Sequence, residues 1–453
     1  MDAARSARRL KAQAFGITAD GCGIFHASGM DIEVPLAVPG DFAEIEVLPS
    51  NGKGRRRKGR LLGIITPSPD RAPEDVICPC QGSCGGCPLG LMSEAAQLRL
   101  KREMLAASLR KAGIKRIDLP AVSPSDPGVS RFKGIRFFGD DGERVIQGFY
   151  RRGSHELVGA PSCPRECAWF GTLAGAVADL ASSLRVRAYD EAERAGVLRA
   201  IAMRDCGDGG TMAVVTHAGE LDPGFAKALA ALMKERGIAS SWTLRNDSPG
   251  NSIMGGNLSH LAGARAVEAR LNGFSYSAGP RTFLQVNYPV AQRLYSKALS
   301  WCGSDPEGTA LDLCSGAGAM TLPLARSFRK AVGVEIVEEA VEAARLNARM
   351  NHVGNAEFIA GDLTKVLPGL ISGDVSAAIA DPSRRGLGAD ACRALWPLRR
   401  GARLALVFCG LGALERDLPV IVEGGFAVRL AQGFDMFPGS SALESLVLLE
   451  KER

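Results

Sequence analysis

The stretch ALDLCSGAGAMTLPLA, residues 310–325, joins an apolar run to a glycine-rich turn and then to a second apolar run. It contains the pattern D-L-x-x-G-x-G, formed by Asp312, Gly316 and Gly318. Glycines at these positions permit a tight turn and let the backbone approach a ligand at the carboxyl end of a strand. About 20 residues later the next apolar run ends in Glu335, where an acidic side chain can accept hydrogen bonds from a ribose. The stretch therefore predicts a strand–turn–helix that binds a nucleoside.

The glycine turn alone is a weak indication, because a tight connection between a strand and a helix also uses glycine. Gly361-Asp362, at the end of a third apolar run, adds a polar group at the same predicted edge. The stretch has neither the third glycine of a dinucleotide fingerprint nor the lysine of a phosphate-binding loop. The pattern therefore disfavours a nicotinamide or nucleoside-triphosphate site and favours S-adenosylmethionine, which has a ribose but no phosphate.

The C-terminal part, from about residue 266 to 453, alternates strand-like and helix-like runs. The strand-like runs are 310–314, 330–335, 356–362, 377–382 and 402–409, and a helix is predicted over 336–350. Such alternation is typical of an open, mostly parallel sheet with helices on its faces.

The N-terminal 66 residues have short alternating runs separated by glycine turns, which predict a small β-barrel. Within them, KGRRRKGR (Lys53–Arg60) has six basic residues in eight. This run is either a solvated hairpin loop or a loop that contacts the phosphates of a nucleic acid. Residues 67–265 mix helices and strands, including helices over 93–112, 170–184 and 223–235, and predict a central α+β domain.

The composition of the 453 residues is that of a globular, multidomain protein, with two to four domains expected. The net charge of +6 allows a nucleic-acid partner without requiring one. Neither a membrane-spanning run nor a secretory leader is recognisable, so we expect a cytoplasmic protein whose 12 cysteines are reduced. With only 5 histidines, a multi-histidine metal centre is disfavoured.

Four of the cysteines, Cys78, Cys80, Cys84 and Cys87, fall within ten residues and are interleaved with glycines. The clustering favours metal binding over buried structural thiols. Zinc would need a second, nearby pair, and a radical S-adenosylmethionine enzyme would need a barrel around the cluster. The third alternative is a 4Fe-4S cluster, whose fourth thiolate would come from later in the chain, with Cys163 as the best candidate.

Two further strand ends carry reactive groups. Asp381 ends the run ADP and precedes Arg384 and Arg385, which are either solvated or close to an RNA phosphate. Cys409 ends the run ARLALVFC and is either a small buried side chain or a nucleophile. Thiolate addition to C6 of uracil would activate C5 for methylation, and a base must then remove the C5 proton. Glu444, in the last strand-like run, is the candidate base; its alternative is an ordinary surface carboxylate.

Together these motifs resemble the RNA uracil-C5 methyltransferases, which make 5-methyluridine, over nearly the full length of the chain. The family's Cys-x5-Cys-Gly-Gly-Cys matches Cys78, Cys84 and Cys87, and its later Cys-Pro matches Cys163-Pro164. Its F-x-Q-x-N lies at 283–287, its nucleophile segment at 408–418, and its D-M-F-P at 435–438 ahead of Glu444.

The resemblance implies a multidomain α/β protein with a TRAM/OB-like RNA-binding barrel (1–66), a central α+β iron–sulfur domain (67–265) and a Rossmann-like class I methyltransferase domain (266–453). It implies Cys409 as nucleophile and Glu444 as general base. It also implies a 4Fe-4S cluster on Cys78, Cys84, Cys87 and Cys163, with Cys80 as a rival first ligand. The implied S-adenosylmethionine contacts are Gln285, Cys314, Gly316, Gly318, Ala319, Glu335, Asp362 and Asp381.

The chain departs from the family pattern close to these residues. Gly410-Leu411 replaces Asn-Pro after the nucleophile, and Ser383 replaces the second proline after Asp381. Gly439 and Ala442 replace the two histidines near Glu444. Cys314 and Ala319 also replace the residues usual at two cofactor contacts.

We therefore expect a divergent RNA methyltransferase that forms 5-methyluridine, with 23S rRNA favoured over tRNA and no obligate protein partner evident. The alternatives are methylation of a tRNA uridine or of cytosine C5, or an RNA-binding iron–sulfur protein with impaired catalysis.

Overall fold

The structure, a computed structural model, describes residues 8–27, 29–49, 56–117, 119–248 and 253–453. It divides into two compact units. The first unit is drawn from Met1–Lys101, Phe149–Val158 and Phe437–Ser441, and the second from Arg102–Gly148, Gly159–Met436 and Ala442–Arg453.

The first unit contains a closed five-stranded barrel with strand order β1-β2-β3-β5-β4. Its strands are β1 Arg8–Ile17, β2 Gly23–Ala27, β3 Met30–Val34, β4 Phe42–Val47 and β5 Arg56–Thr66. The alternation of apolar and polar residues explains these strands. In β3, Ile32 and Val34 are fully buried, whereas Asp31 and Glu33 are not. The predicted barrel is present, and its fold is consistent with the TRAM/OB type.

The basic run differs from its prediction as a loop between two strands. Strand β5 begins at Arg56, so Arg56–Arg60 belongs to a strand, whereas Lys53 and Arg55 lie outside the described residues. Arg56 and Lys58 pair with Glu33, at 3.3 and 2.6 Å, and Arg60 pairs with Glu46. These residues can form a strand because a barrel strand needs only one buried face. The basic side chains of Arg56, Lys58 and Arg60 lie on the exposed face.

After the barrel come a short 3₁₀ turn, Glu74–Val76, the cysteine segment and the helix α1, Glu94–Lys111. The predicted helix over 93–112 is thus confirmed to within a residue at each end. None of the described helices is long and apolar enough to cross a membrane.

The central sheet has seven strands in the order β12-β11-β10-β9-β6-β7-β8. Its strands are β6 Lys133–Asp140, β7 Val145–Tyr150, β8 Leu157–Gly159, β9 Leu198–Asp205, β10 Thr211–His217, β11 Ser240–Arg245 and β12 Asn257–Gly263. A short 3₁₀ turn, Gly207–Gly209, joins β9 to β10. The helices α2 Ala168–Ser183 and α3 Pro223–Glu235 bury Phe170 and Phe225 in a core with strand residues such as Ile201.

A hairpin of β13 Val267–Leu271 and β14 Phe274–Ala278 precedes the second seven-stranded sheet, of order β17-β16-β15-β18-β19-β21-β20. Its strands are β15 Asp305–Asp312, β16 Phe328–Glu335, β17 Ala356–Ala360, β18 Val375–Ala380, β19 Arg403–Phe408, β20 Phe426–Phe434 and β21 Glu444–Lys451. The helices are α4 Tyr288–Cys302, α5 Thr321–Ala325, α6 Glu338–Met350, α7 Leu363–Leu370, α8 Ala389–Ala394 and α9 Leu411–Glu423.

Strands β15 to β19 are mutually parallel, while β21 is antiparallel to both β19 and β20. The mostly parallel sheet is therefore confirmed. Its core strands are nearly all apolar because helices cover both faces, as the fully buried Ala377, Ile379 and Leu404 show.

Candidate active site

The carboxyl ends of the parallel strands bring the predicted polar residues to one edge of the second sheet. Asp312 and Glu335 are the last residues of β15 and β16, and Asp381 and Cys409 directly follow β18 and β19. Glu444 begins β21, which is antiparallel, and Ser445 pairs with Phe408 at the end of β19. Glu444 therefore reaches the same edge although it lies at the start of its strand.

The glycine turn is tied directly to Glu335. The backbone N–H of Gly316 donates to Glu335 Oε2 at 3.0 Å, and the N–H of Val337 donates to Glu335 Oε1 at 2.9 Å. Gly316 and Gly318 have φ of +50° and +89°, in the left-handed region that favours glycine. A Cβ on Gly318 would also lie 3.2 Å from the ring of Phe358. The turn and the acidic residue thus form one small structural element, as the spacing predicted.

Asp312 lies beneath this turn. It is buried, and its Oδ2 accepts a hydrogen bond of 2.7 Å from the hydroxyl of Thr321 on α5. Burial raises the pKa of Asp312 to about 7. Asp312 therefore links β15 to α5 within the fold.

Cys314 and Ala319 lie in the same turn. Burial, followed by the negative charge of Asp312, raises the pKa of the Cys314 thiol well above its usual range, so the group is a neutral thiol. The carbonyl of Ala319 accepts a hydrogen bond from Tyr276 Oη at 3.3 Å. Both residues thus lie in the turn, and neither adds a charged side chain to it; their contact with the cofactor stays a prediction.

Asp362 is exposed and caps helix α7. Its Oδ1 accepts hydrogen bonds from the N–H of Thr364 at 2.9 Å and from the Thr364 hydroxyl at 2.7 Å. These bonds lower the pKa of the Asp362 carboxyl. Asp362 is therefore a helix cap, and its cofactor contact stays a prediction.

Gln285 and Asp381 are joined through a residue that the sequence did not single out. Tyr295, buried on α4, donates from Oη to Asp381 Oδ2 at 2.7 Å. Gln285 Nε2 donates to the same Asp381 oxygen at 3.1 Å and to Tyr295 Oη at 3.2 Å. Phe283, two residues before Gln285, is 70% exposed. We call Gln285, Tyr295, Asp381, Cys409 and Glu444 the strand-end crevice.

The pKa values of Cys409 and Glu444 are both raised in this crevice. The thiol of Cys409 is half-buried and lies 3.6 Å from the carbonyl oxygen of Pro382. Burial, and then the charges of Glu444 and Asp381, raise the pKa of Cys409 to about 11. Glu444 is 3% exposed, and burial followed by the charge of Asp381 raises its pKa to about 8. Its Oε2 has no hydrogen-bond partner in the part of the chain that the structure describes.

A buried, weakly acidic carboxyl near a thiol has the pKa expected of a general base that works close to neutral pH. The interpretation of Glu444 as an ordinary surface carboxylate is wrong, because the side chain is buried. The sequence leaves a surface position open, because a glutamate in a strand-like run does not indicate which face of the strand it occupies.

The loop after Asp381 is held by Asp417, a second residue that the sequence did not single out. Asp417 is buried on α9, and its Oδ2 accepts hydrogen bonds from the N–H groups of Leu387 at 2.7 Å and Gly388 at 3.4 Å. Arg416 Nη2 donates to the carbonyl of Arg385 at 3.1 Å. Arg416 and Asp417, on the helix after Cys409, thus fix this loop, and Arg384 and Arg385 remain exposed on it. The available sequence signal for Asp417 is its place within the nucleophile segment, 408–418.

A series of turns in the first unit, which we call the cysteine loop, contains Cys78, Cys80, Cys84 and Cys87, all half-buried and none in a disulfide. Cys163 is likewise outside any disulfide and belongs to the second unit. Their thiols suit iron chemically. However, among the described residues no group of three or more His, Cys, Asp or Glu side chains is arranged to hold a metal ion.

Gly439, at a position where the resembling family has histidine, packs against the cysteine loop. Its φ is +81°, its N–H donates to Gln97 Oε1 at 2.8 Å, and its carbonyl accepts from the N–H of Leu89 at 2.8 Å. A Cβ at this position would lie 3.1 Å from Cys87 Sγ. Glycine is favoured here because of both the backbone conformation and the close approach of Cys87.

A mostly parallel sheet with a glycine turn, an acidic residue at the end of the neighbouring strand and polar groups at the strand ends is typical of S-adenosylmethionine-binding methyltransferases. Comparison with known proteins identifies the family. The family model described as tRNA (uracil-5-)-methyltransferase matches residues 264–452. An uncharacterized RNA methyltransferase of Halalkalibacterium halodurans is 31% identical over 442 residues, covering 96% of this chain and 95% of the relative. One from Bacillus cereus is 30% identical over 441 residues, with 96% and 95% covered.

The chain belongs to the RNA uracil-C5 methyltransferase family and is an RNA methyltransferase. Among solved structures, the tRNA (uracil-54, C5)-methyltransferase of Pyrococcus abyssi in complex with S-adenosyl-L-homocysteine has a similar fold. The TM-score is 0.76 with 22% identity, covering 97% of this chain and 99% of that chain. Membership of the family supports S-adenosylmethionine as the methyl donor and RNA as the substrate.

Proposed function

We propose that this protein forms 5-methyluridine in RNA, with Cys409 as nucleophile and Glu444 as general base. The observation that carries the proposal is the meeting of a thiol, a buried carboxyl and a second carboxyl, Asp381, at one edge of the sheet. Their mutual electrostatic influence on Cys409 supports this proximity, since both carboxylates raise the pKa of the thiol. The residues belong to three different strands or strand ends, and a structural thiol would need no such neighbours.

The proposed chemistry begins with the Cys409 thiolate. The sulfur forms a bond to C6 of the uracil, and the electrons of the C5–C6 double bond pass to C5 and O4 as an enolate. C5 then takes the methyl group as the bond between the methyl carbon and the sulfonium sulfur of the donor breaks. Glu444 accepts the C5 proton, the C5–C6 double bond re-forms, and the thiolate leaves. Because the target atom must leave the base stack, we propose that the uridine is flipped out of the RNA.

The remaining expected contacts are proposed for the methyl donor, which supplies an electrophilic methyl group when bound. Glu335 would accept hydrogen bonds from the ribose, beside a turn whose glycines leave room for the ligand. The other proposed donor contacts are Gln285, Cys314, Gly316, Gly318, Ala319, Asp362 and Asp381. Glu335 fits this role because both of its oxygens already point to the turn and the start of α6, through the N–H groups of Gly316 and Val337.

For the substrate we propose 23S rRNA, on the strength of the cysteine pattern that resembles the iron–sulfur members of the family. The second candidate is tRNA, which is favoured by the description of the matching family model. We propose that the barrel, as a TRAM-like domain over 1–66, contributes to RNA binding, ahead of a central domain (67–265) and the methyltransferase domain (266–453). The exposed arginines 384 and 385 would meet phosphate near the crevice.

Mapping of 5-methyluridine in total rRNA and tRNA, with and without the gene, tests the proposal. Loss of 5-methyluridine at one site of 23S rRNA, restored by the wild-type gene and not by a Cys409→Ala copy, is the expected result. Loss confined to tRNA would assign the second candidate. Unchanged 5-methyluridine in every RNA, or loss of 5-methylcytidine instead, would contradict the proposed reaction.

We also propose that Cys78, Cys84, Cys87 and Cys163 ligate a 4Fe-4S cluster. The support is the spacing of the thiols in the sequence, and not their arrangement in the structure. No step of the reaction is assigned to the cluster. Iron and acid-labile sulfide measured on anaerobically purified protein, about four of each per chain for this cluster type, are the expected result. Protein that purifies colourless and without iron under those conditions would contradict it.

A further inference from the structure

Tyr295 occupies the centre of the strand-end crevice, and the family motifs gave it no task. Its side chain is 4% exposed, and its hydroxyl has two partners, Asp381 as acceptor at 2.7 Å and Gln285 as donor at 3.2 Å. Since Gln285 also donates to Asp381 at 3.1 Å, the three polar groups close a triangle on a single carboxylate oxygen. One oxygen with two donors is an environment that favours the ionised form of a carboxyl.

The other carboxyl of the crevice has the opposite environment. Glu444 is buried, and its Oε2 lacks a hydrogen-bond donor among the residues that the structure describes. An ionised glutamate without donors at this depth would be strongly destabilised, whereas a protonated one is not. The two carboxyls thus differ in the number of donors that the fold supplies to each.

The charged and titratable groups that face Asp381 come from several elements. They are Tyr295 from α4, Asp312 from β15, Cys314 from the glycine turn, Cys409 from the end of β19 and Glu444 from β21. Arg384 acts on Cys409 and Glu444. Burial raises the pKa of Asp381, and the hydrogen bonds from Tyr295 and Gln285 oppose that effect. In turn the charge of Asp381 raises the pKa of Asp312 and of Glu444.

We propose that Tyr295 is a positioning residue that keeps Asp381 ionised, so that Glu444 carries the proton of this carboxyl pair in the resting enzyme. The hydroxyl is suited to this because burial and the neighbouring carboxylate raise the pKa of Tyr295 far above its usual range, and it therefore remains a donor. By accepting from Gln285 as well, it also orients the amide whose segment includes the exposed Phe283. The consequence for catalysis, which rests on the proposed function, is that Glu444 must lose this proton before it can accept the one from C5.

The proton distribution can be measured without any turnover. Protein with ¹³C-labelled side-chain carboxyls is titrated by NMR, and Asp381→Asn and Glu444→Gln identify the two resonances. In the wild type, Asp381 should ionise at lower pH than Glu444. The reverse order would overturn the proposal, and circular dichroism checks that both assignment variants are folded.

Tyr295→Phe keeps the ring and removes the donor. It should raise the midpoint of Asp381 by about one pH unit, equivalent to the loss of one hydrogen bond to the charged form, and lower that of Glu444. Tyr288→Phe, on the same helix, removes a hydroxyl that lies 3.6 Å from Cys206 Sγ and should leave both midpoints unchanged. An unmoved Asp381 midpoint in folded Tyr295→Phe protein would overturn the proposal. A wild-type enzyme that makes no 5-methyluridine would contradict the proposed function instead, and would leave the titration result standing.

Discussion

The strand-end crevice and the cysteine loop are opposite cases of how reactive side chains are arranged along a chain. The crevice gathers Gln285, Asp381, Cys409 and Glu444, which are spread over about 160 residues of sequence, through hydrogen bonds of 2.7 to 3.2 Å and mutual electrostatic effects. The cysteine loop has four thiols within ten residues, yet the described residues hold no group of ligands arranged for a metal.

Proximity in sequence and convergence in space thus have separate causes in this molecule. Parallel strands end at a common edge, so residues after different strands converge whatever their separation in sequence. A loop of turns fixes its backbone by local hydrogen bonds, such as Gln81 to Cys78 and Cys84 to Cys80, and does not by itself direct the side chains inward. A ligand set in such a loop forms when the metal supplies the missing convergence.

Removal of the thiol should have the largest effect in the crevice. Cys409→Ala should lower the rate of uridine methylation by about 10⁴-fold or more, since the variant lacks the nucleophile. Single-turnover assays with transcribed RNA and labelled methyl donor would measure it, together with the loss of any covalent protein–RNA adduct on denaturing gels. Cys206→Ala, which removes a half-buried thiol outside the crevice, is the control and should retain activity. A fully active Cys409→Ala enzyme would remove the crevice from the chemistry.

Removal of the base should stop the reaction later. Glu444→Gln keeps the shape of the side chain and should slow release of product by about 10²- to 10⁴-fold. Because thiol addition and methyl transfer precede proton removal, a methylated covalent adduct should accumulate. Mass spectrometry of the adduct after nuclease digestion would detect the methyl group. An adduct that lacks it would assign Glu444 to an earlier step.

The pH dependence should reflect the two raised pKa values of the crevice. The rate should rise with pH through about 8, where Glu444 becomes ionised, and continue towards about 11, where Cys409 does. Rate profiles of single-turnover methylation, with RNA integrity checked at each pH, would measure this. A flat profile between about pH 6 and 9 would mean that neither group limits the reaction.

The free energy of unfolding should fall as the pH rises, in the opposite direction to the methylation rate. Glu444 keeps its proton to about pH 8 when folded, whereas the ordinary value is 4.5, so the folded state binds the extra proton and loses relative stability as pH rises between these values. Glu444→Gln removes this penalty and should raise Tm relative to the wild type at pH 8 more than at pH 5. Calorimetry at both pH values measures the difference, and an equal change at both would contradict the burial of an ionisable carboxyl.

The smallest effect on methylation should come from the cysteine loop. Cys78→Ser, Cys84→Ser and Cys87→Ser should lose bound iron, whereas Cys80→Ser should retain it. The reverse result for Cys78 and Cys80 would make Cys80 the first ligand. Activity should fall less than for Cys409→Ala, because the loop is not assigned to the reaction. Iron content and methylation measured on the same preparations would compare the two regions directly. Four variants that all retain iron would show that the loop is not the ligand set.

Much of the fold could be predicted from periodicity and glycine placement. The barrel, helix α3 at Pro223–Glu235 and the parallel order of the second sheet all follow their patterns closely. Six basic residues in eight predict a solvent-exposed loop, whereas the structure has a strand from Arg56 onward. A strand with one solvated face accommodates them equally well, and Glu33 and Glu46 on neighbouring strands provide their partners.

The site could be predicted only where a motif or a strand end marked it. Glu335 and Gly316 were found because their spacing reflects one local strand–turn–helix. Tyr295 was missed because it is one apolar-facing position of an amphipathic helix, and a buried tyrosine there resembles any core residue. Its role depends on what Asp381, 86 residues away, presents to it.

The barrel, the alternating sheet, the glycine turn and the chemistry available at the strand ends follow from local sequence, since each depends on residues close together in the chain. Which groups meet, and in what protonation state, depends on how distant segments pack. Glu444 became a buried, weakly acidic carboxyl because β21 runs antiparallel beside β19. Asp381 gained two donors because α4 packs against the sheet. Burial and hydrogen bonding between distant segments set those pKa values, and neither is encoded in local sequence.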